Sequence, residues 1–255
     1  MSDLQEKYVL ELLESGKRID GRKFDEYREI KIERGLVQKA EGSAVVSLGK
    51  TKVAAGVKLE IGEPFPDTPN EGILIVNAEF SPIASPEFEA GPPGEDAIEL
   101  ARIVDRVIRE SKCLQLEKLV ISQQNVFIVF VDLHIINDHG NLIDASALAA
   151  IAALKNARIP KVENGKIVRE EFTGNLPVIF TPVVVSVCKV GNNFLIDPDL
   201  LEENVLDSRL VVGVRDDDKI CAIQKQGSKP LKFSDVEKML DIAIAKSKEL
   251  RRLVG

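Results

Sequence analysis

Hydrophobic residues follow two different periods along this chain. They recur at helical spacing over residues 3–14, where Gly16 ends the pattern, and again over residues 96–111. Residues 145–157 are apolar on nearly every side, which predicts a helix buried within the protein. A last helix is predicted close to the C-terminus. The pattern therefore predicts several helices, of which one is buried.

Single residues predict where two of these helices begin and end. Asp144 is the predicted cap of the helix over residues 145–157, because an aspartate side chain accepts hydrogen bonds from first-turn N–H groups. Pro160 is its predicted stop, since proline does not continue a helix. Ser234 and Glu237 have the spacing of a capping box, which predicts the start of the last helix.

Segments typical of β-strands lie between these helices. Alternating or β-branched runs predict strands over residues 28–35, 43–48, 52–59, 73–80, 126–136, 183–190, 193–196, 210–215 and 219–224. The run at 126–136 is long and apolar, so we interpret it as a buried strand. His134 within it is accordingly expected to be a core or interface residue rather than a ligand.

Three segments interrupt the regular elements. Residues 61–71 and 81–94 are rich in proline or glycine and predict loops. Residues 161–173 are polar and predict a linker that contains a small hairpin. This linker is the candidate boundary between two halves that each show several strands followed by a long helix.

Composition and charge indicate how this chain could contact nucleic acid. The 255 residues include 41 acidic and 34 basic side chains, which gives a net charge of −7. A protein that coats nucleic acid over its whole surface would be basic. With no tryptophan and only two tyrosines, the chain also has little material for stacking single-stranded bases. Any contact with nucleic acid must therefore come from a local patch or from a partner.

The cysteines and histidines indicate neither a metal site nor a disulfide framework. Cys113, Cys188 and Cys221 lie far apart in the sequence, and neither histidine is near them. Unpaired thiols are typical of a reducing compartment. The first residues are too acidic for a signal peptide, and no apolar run is long enough to span a bilayer. We therefore expect a cytoplasmic protein with no metal, no cofactor and no membrane partner.

Several short sequences, in order along the chain, carry a resemblance to a known family. They are RIDGR at residues 18–22, EGSA at 41–44, LGKT at 48–51, ELARIVDR at 99–106 and DPD at 197–199. Together they resemble the RNase PH family of phosphate-dependent exoribonucleases, over about residues 18–253. Within that family, the chain is most similar to the non-catalytic RNase-PH-like subunits of the archaeal exosome core.

The resemblance implies an α+β protein with the RNase PH fold, in which two related β/α subdomains combine mixed sheets and packed helices. The implied divisions are an N-terminal helix and extension at residues 1–27, a first domain at 28–160, a linker at 161–181 and a second domain at 182–255. The implied partners are a catalytic RNase-PH-like subunit in an alternating three-plus-three ring, RNA-binding cap subunits, and single-stranded RNA.

Positions that bind phosphate or RNA in active members of this family carry unsuitable residues here. Active members place an arginine at a helix start to bind phosphate, where this chain has Leu142. Asp144 follows in the same segment, and its charge would repel phosphate. An arginine pair before the first long helix is replaced by Glu95 and Asp96. Three elements of the active site are expected to be lost, namely these two and an acid position in the second half of the chain.

The second half contains an acid-rich stretch, residues 197–207. Glu203 in this stretch corresponds to one of two catalytic acids of active members. The position of the other acid falls on Ser208 or Arg209, close to Asp207. Such a stretch has ligands suited to a divalent metal, but a solvated loop and strand edge is the favoured interpretation. We expect no catalysis by this chain itself.

Arg102, Arg106 and Arg109 form a compact basic stripe on the helix predicted over residues 96–111. One interpretation is a set of weak intrahelical ion pairs, namely Asp105 with Arg109, Glu99 with Arg102, and Glu110 with Arg106. The resemblance implies instead that Arg102 and Arg106 contact RNA phosphates at the active site of the catalytic partner. Arg109 is the third candidate for RNA binding.

Three functions remain open from the sequence. The favoured one is a non-catalytic ring subunit that structures the partner's active site and supplies arginines to RNA. The second is an active phosphorolytic 3′-to-5′ exoribonuclease with an altered site. The third is a purely structural ring subunit without RNA contact.

Overall fold

A computed structural model describes residues 3–255 of the chain. Its helices are α1 (Asp3–Glu14), α2 (Glu95–Glu110), α3 (Leu142–Asn156), α4 (Leu200–Glu203) and α5 (Phe233–Val254), with a 3₁₀ turn at Leu116–Leu119. Its strands are β1 (Ile30–Arg34), β2 (Gly42–Leu48), β3 (Thr51–Gly62), β4 (Ile73–Phe80), β5 (Val126–Asn137), β6 (Arg158–Glu163), β7 (Lys166–Asn175), β8 (Val183–Val190), β9 (Asn193–Ile196), β10 (Ser208–Val214) and β11 (Ile220–Gln226). None of the helices described here is long and apolar enough to cross a bilayer.

The strands form two main sheets and one hairpin. The first sheet has the order β1-β2-β3-β5-β4 and the second has the order β11-β10-β8-β9, while β6 pairs with β7. All neighbours are antiparallel except β4 and β5, which run parallel with Ile73 opposite Ile128. A parallel pair requires a crossover connection, and α2 lies within it. The α+β fold class expected from the sequence is confirmed.

Helix α3 lies at the centre of the hydrophobic core. Every residue from Ile143 to Leu154 is buried, and α3 packs against β2, β3 and β5 of the first sheet and β8 of the second. Gly42 allows β2 to approach closely, because a Cβ there would lie 2.5 Å from the Ala153 carbonyl oxygen. One hydrophobic cluster includes residues of both sheets. The predicted buried helix is confirmed.

The predicted C-terminal end of α3 at residue 157 is within one residue of the observed end, but the predicted cap at Asp144 and the predicted stop at Pro160 are wrong. The helix ends at Asn156, and Pro160 lies in β6 where the strand register shifts. Ala157 is already extended and β6 begins at Arg158, so the helix has ended before the proline is reached. At the other end, Asn141 is the cap with a left-handed φ of 58°, and Asp144 lies fully buried within the first turn.

The predicted capping box of the last helix is also wrong. Helix α5 begins at Phe233 after Lys232, which makes no side-chain cap hydrogen bond. A capping box does form, but in the short helix α4. There the Asp199 side chain accepts hydrogen bonds from first-turn N–H groups, and the Glu202 side chain accepts one from the Asp199 N–H.

Each predicted strand is present, with ends that shift by a few residues, but β5 is buried on one face only. Val129, Val131 and Leu133 on the covered face are inaccessible to solvent. His134 lies on the opposite face and is exposed, with its ring Nδ1 3.2 Å from the Glu79 carboxylate. The prediction of His134 as a core residue is therefore wrong, and its contact with a partner stays a prediction.

Candidate functional site

The start of α3 is the position where active relatives are expected to bind phosphate, and its backbone is unusual. Gly140 has a φ of 86°, in the left-handed region, and Asn141 follows with a φ of 58°. A Cβ at Gly140 would lie 2.5 Å from the carbonyl carbon of Asp199. The loop before α3 therefore packs directly on the segment that begins α4, with glycine required for the contact.

A carboxylate of the protein itself lies at this helix start. The Asn141 N–H donates to Glu203 Oε1 at 3.0 Å, and the Glu203 carboxylate also forms an ion pair with Arg209. Burial would lower the pKa of Arg209, but the charges of Glu203 and Cys188 and the hydrogen bonds to them together raise that pKa above its ordinary value. Glu203 Oε1 thus makes both contacts, and the negative charge of Glu203 neutralises the positive charge of Arg209.

A pocket of about 260 Å³ opens beside this helix start, and its lining is acidic. Leu142 and Ile143 contribute apolar surface to it. The charged lining residues are Glu87, Asp96, Glu99, Asp138 and Glu203 against Arg209. Burial raises the pKa of Asp138, and the neighbouring charges of Glu203 and Glu87 act in the same direction. A pocket with this excess of carboxylates repels phosphate and the RNA backbone.

The expected acid positions Asp207 and Ser208 lie outside this pocket. Asp207 points to a turn, where its carboxylate accepts a hydrogen bond from the Gly191 N–H and pairs with Lys229 at 2.6 Å. Ser208 is buried in β10. Asp207 therefore does not line the pocket and supplies no acid there.

Asp144 is part of a buried polar cluster rather than a helix cap. Its carboxylate accepts hydrogen bonds from the Tyr27 hydroxyl at 2.9 Å, the Ser186 N–H at 2.9 Å and Asn141 Nδ2 at 3.2 Å. Burial raises the pKa of Asp144 to about 6, against these hydrogen bonds. Asp144 therefore connects α3 to β8 and, through Tyr27, to the N-terminal segment, by which we mean residues 15–29 between α1 and β1.

Asp197, Asp199 and Glu202 of the acid-rich stretch are buried, so the interpretation as a solvated loop is wrong for these three, whereas Glu203 and Asp207 are half-buried. Asp197 is fully buried, with a φ of 47°, and Glu202 is almost completely buried. Arginines of the N-terminal segment cover these carboxylates: Arg18 binds Glu202, whereas Arg22 and Arg28 bind Asp197 at 2.8 and 2.6 Å.

Arg28 connects this stretch to the loop before α3. Its guanidinium donates to the carbonyl oxygens of His139 at 2.7 Å and Gly140 at 3.1 Å. Burial would raise the pKa of Asp197, but the hydrogen bonds and charge of Arg28 outweigh it and hold that pKa below its ordinary value. Across residues 3–255, no group of three histidine, cysteine or carboxylate side chains is placed to hold a metal ion.

The predicted RNA-binding arginines all lie on α2. Arg102 and Arg106 are exposed and line an open groove of about 350 Å³ between α2 and β11. The other lining residues are Glu95, Ile98, Glu99 and Gln224. Arg109 does not line this groove. Its guanidinium pairs with Asp105 at 2.8 Å and donates to the Leu74 carbonyl oxygen at 3.2 Å.

Only one of the three intrahelical pairs considered from the sequence is present in the described chain, the one between Asp105 and Arg109. Arg102 makes no hydrogen bond or ion pair with any residue in the described range 3–255, and Arg106 donates to Gln224 at 3.2 Å. Gln224 is not predictable as a neighbour of these arginines from the sequence, because β11 is far from α2 along the chain.

Comparisons with known proteins identify relatives of this chain. Two models of the 3′ exoribonuclease family match the chain, domain 1 at residues 26–160 and domain 2 at residues 181–246. The exosome complex component Rrp42 of Thermococcus gammatolerans is 47% identical over 259 residues, which cover 100% of this chain and 95% of that protein. The Rrp42 of Archaeoglobus fulgidus is 49% identical, over 98% of this chain and 95% of that protein.

A solved structure shows the same similarity in three dimensions. A chain of the Archaeoglobus fulgidus exosome with RNA bound to the active site superposes with a TM-score of 0.92 and 48% identity. The superposition covers 98% of this chain and 97% of that chain.

Proposed function

The chain belongs to the RNase PH family of 3′ exoribonucleases, and we propose that it is a non-catalytic subunit of an archaeal-type exosome ring that supplies arginines to RNA. The observation that carries this proposal is a contrast within one structure. The pocket where phosphate would bind is lined with carboxylates, whereas Arg102 and Arg106 are exposed beside it and form no ion pair with any residue that the structure describes.

The acidic pocket supports the absence of catalysis. Phosphorolysis requires an anionic nucleophile and an anionic diester in one site, so their charge must be offset by donors or cations. Leu142 offers neither, and Arg209 is already paired with Glu203. An active enzyme with an altered site would need a different source of positive charge, which the pocket lacks in the part of the chain described.

The exposed arginines support contact with RNA rather than a purely structural role. A guanidinium that is not committed to a carboxylate can form charge-assisted, bidentate hydrogen bonds with a phosphate. Such contacts hold the strand without reading its sequence. We propose Arg102 and Arg106 as the main RNA contacts, and Arg109 as a weaker one because Asp105 competes for its guanidinium.

The ring arrangement is part of the proposal. We propose that this chain alternates three-plus-three with a catalytic RNase-PH-like subunit, whose active site it completes, and that RNA-binding cap subunits join the ring. The similarity to chains of archaeal exosome structures supports assembly of this kind. We further propose a cytoplasmic location, which the three free thiols support.

The direct test is an assay of the purified chain without any partner. Incubated with single-stranded RNA and inorganic phosphate, it should release no nucleoside diphosphate, because its own pocket holds no phosphate. The same preparation mixed with the catalytic partner should be active, which controls for correct folding. Phosphate-dependent turnover by the partner-free chain would contradict the proposal and favour an active exoribonuclease.

A further inference from the structure

One side chain from the second half of the chain organises the basic groove. Glu99, Arg102 and Arg106 lie along one face of α2, and β11 packs against that helix. From β11, Gln224 reaches two of them: its Nε2 donates to Glu99 Oε1 at 2.8 Å, and its Oε1 accepts from Arg106 Nη1 at 3.2 Å.

The amide group of Gln224 suits both contacts at once. It carries a donor and an acceptor on the same terminal carbon, as neither a carboxylate nor an ammonium group does. A glutamate at this position would repel Glu99, and a lysine would repel Arg106. The pairing of donors and acceptors also fixes which way the amide is oriented.

The bond between Gln224 and Glu99 bears directly on Arg102. Glu99 precedes Arg102 by one helical turn, which is a favourable arrangement for an ion pair on a helix surface. In the structure the Glu99 carboxylate bonds to Gln224 instead, and Arg102 has no partner among residues 3–255. The amide therefore draws the carboxylate away from the arginine that it would neutralise.

We propose that Gln224 is a positioning residue for the RNA-binding arginines. It holds Arg106 across the groove, where most of the guanidinium N–H groups remain available to a phosphate. It also keeps the Glu99 carboxylate from neutralising Arg102. This inference rests on the proposed function, since it concerns the same contact with RNA.

The test is Gln224→Leu in the assembled complex, with RNA affinity measured against salt concentration. Leucine has a similar size but bonds to neither neighbour, so Glu99 becomes free to pair with Arg102. Neutralising one phosphate contact should lower the salt slope by ~0.7 for single strands, which corresponds to an affinity about fivefold lower at 0.1 M salt. The matched control is Gln123→Leu, at an exposed glutamine in the turn before β5, which should change neither quantity.

A second variant separates positioning from a general loss of structure. Gln224→Leu combined with Glu99→Gln removes the competing carboxylate, so RNA affinity and salt slope should return most of the way to those of the parent complex. Failure of this rescue would overturn the inference, because the loss would then come from distortion of the groove.

Two further outcomes distinguish the inference from the proposed function. If Gln224→Leu has no effect while Arg102→Glu with Arg106→Glu weakens RNA binding, Gln224 is a bystander and the inference is wrong. If the double arginine variant itself leaves RNA binding unchanged, the proposed function fails, and the role of Gln224 in RNA binding fails with it.

Discussion

Two groups of arginines in this chain look alike in the sequence and differ sharply in the structure. In the N-terminal segment, Arg18 is buried and the side chains of Arg22 and Arg28 are only 11% and 9% exposed, and each of the three binds a buried carboxylate. Arg102 and Arg106 on α2 are exposed and make no ion pair within the described range. The first group connects distant parts of one chain, whereas the second leaves its charge available to a ligand.

The difference follows from where each charge lies. A charge removed from water must be paired and hydrogen-bonded, because leaving it alone costs several kcal/mol. An exposed charge gains little from a nearby partner, since water and salt screen the attraction. Unpaired arginines on a surface therefore cost the fold almost nothing, and the same position allows them to bind phosphate.

The largest effect on stability is expected from substituting an arginine of the N-terminal group. Arg28→Met removes a bidentate partner of Asp197 and leaves that buried carboxylate with fewer donors, so the free energy of unfolding should fall by ~3 kcal/mol or more. Chemical denaturation of the chain measures this. Arg106→Met is the matched control and should change stability by less than ~0.5 kcal/mol. Equal effects of the two variants would remove the distinction between the groups.

A second prediction compares how the contributions of two buried aspartates to stability change with pH. Arg28 holds the pKa of Asp197 below its ordinary value despite burial, so the contribution of Asp197 to stability is present above its unfolded pKa of 3.8 and is lost as the pH falls through the folded value. The pKa of Asp144 is raised to about 6, so its contribution has the opposite sign: it is present below 3.8 and is lost as the pH rises to about 6.

Asp144→Asn isolates the second of these contributions. The stability of the variant relative to the parent chain should increase as the pH rises from about 4 to about 6, because only the parent must ionise a buried carboxyl group. Melting temperatures of both proteins across that range provide the measurement. A difference that is independent of pH would show that Asp144 titrates in its ordinary range.

The smallest expected effect concerns Arg109. Its side chain is exposed, as in the α2 group, but it forms an ion pair, as in the N-terminal group. Its ion pair with Asp105 is exposed and spans one helical turn, so a double-mutant cycle with Asp105→Ala and Arg109→Ala should give a coupling of only ~0.3–0.5 kcal/mol. The corresponding cycle for Glu99 and Arg102 should give none in the parent chain. A larger coupling there would mean that Arg102 is paired in solution.

The sequence predicted most elements of the fold because their periodicity is local. The buried helix α3 and the β-branched strands β4 and β8 were evident from spacing and residue type alone. Helix boundaries were less predictable, since Pro160 and Ser234 have the right chemistry for a stop and a cap but tertiary pairing places them elsewhere. The division into two domains with a linker at residues 161–181 stays a prediction.

The site was predictable only where single residues decide its chemistry. Leu142 in place of an arginine is visible without a structure. The burial of Asp197 and the role of Gln224 are not, because their partners are separated by more than a hundred residues along the chain. The same reason applies to two charges of the acid-rich stretch: Glu202 and Asp197 pair with Arg18 and Arg28, which lie 184 and 169 residues away along the chain.

We propose that Arg102 and Arg106 bind RNA and do not stabilise the fold. The most direct test is the salt dependence of RNA affinity for the assembled complex carrying Arg102→Glu and Arg106→Glu, together with its melting temperature. Losing two phosphate contacts should lower the salt slope by ~1.4, alike for RNAs of different sequence, with melting unchanged. Lys39→Glu with Lys166→Glu gives the same change of charge as a control. An unchanged slope with lowered melting would contradict the account.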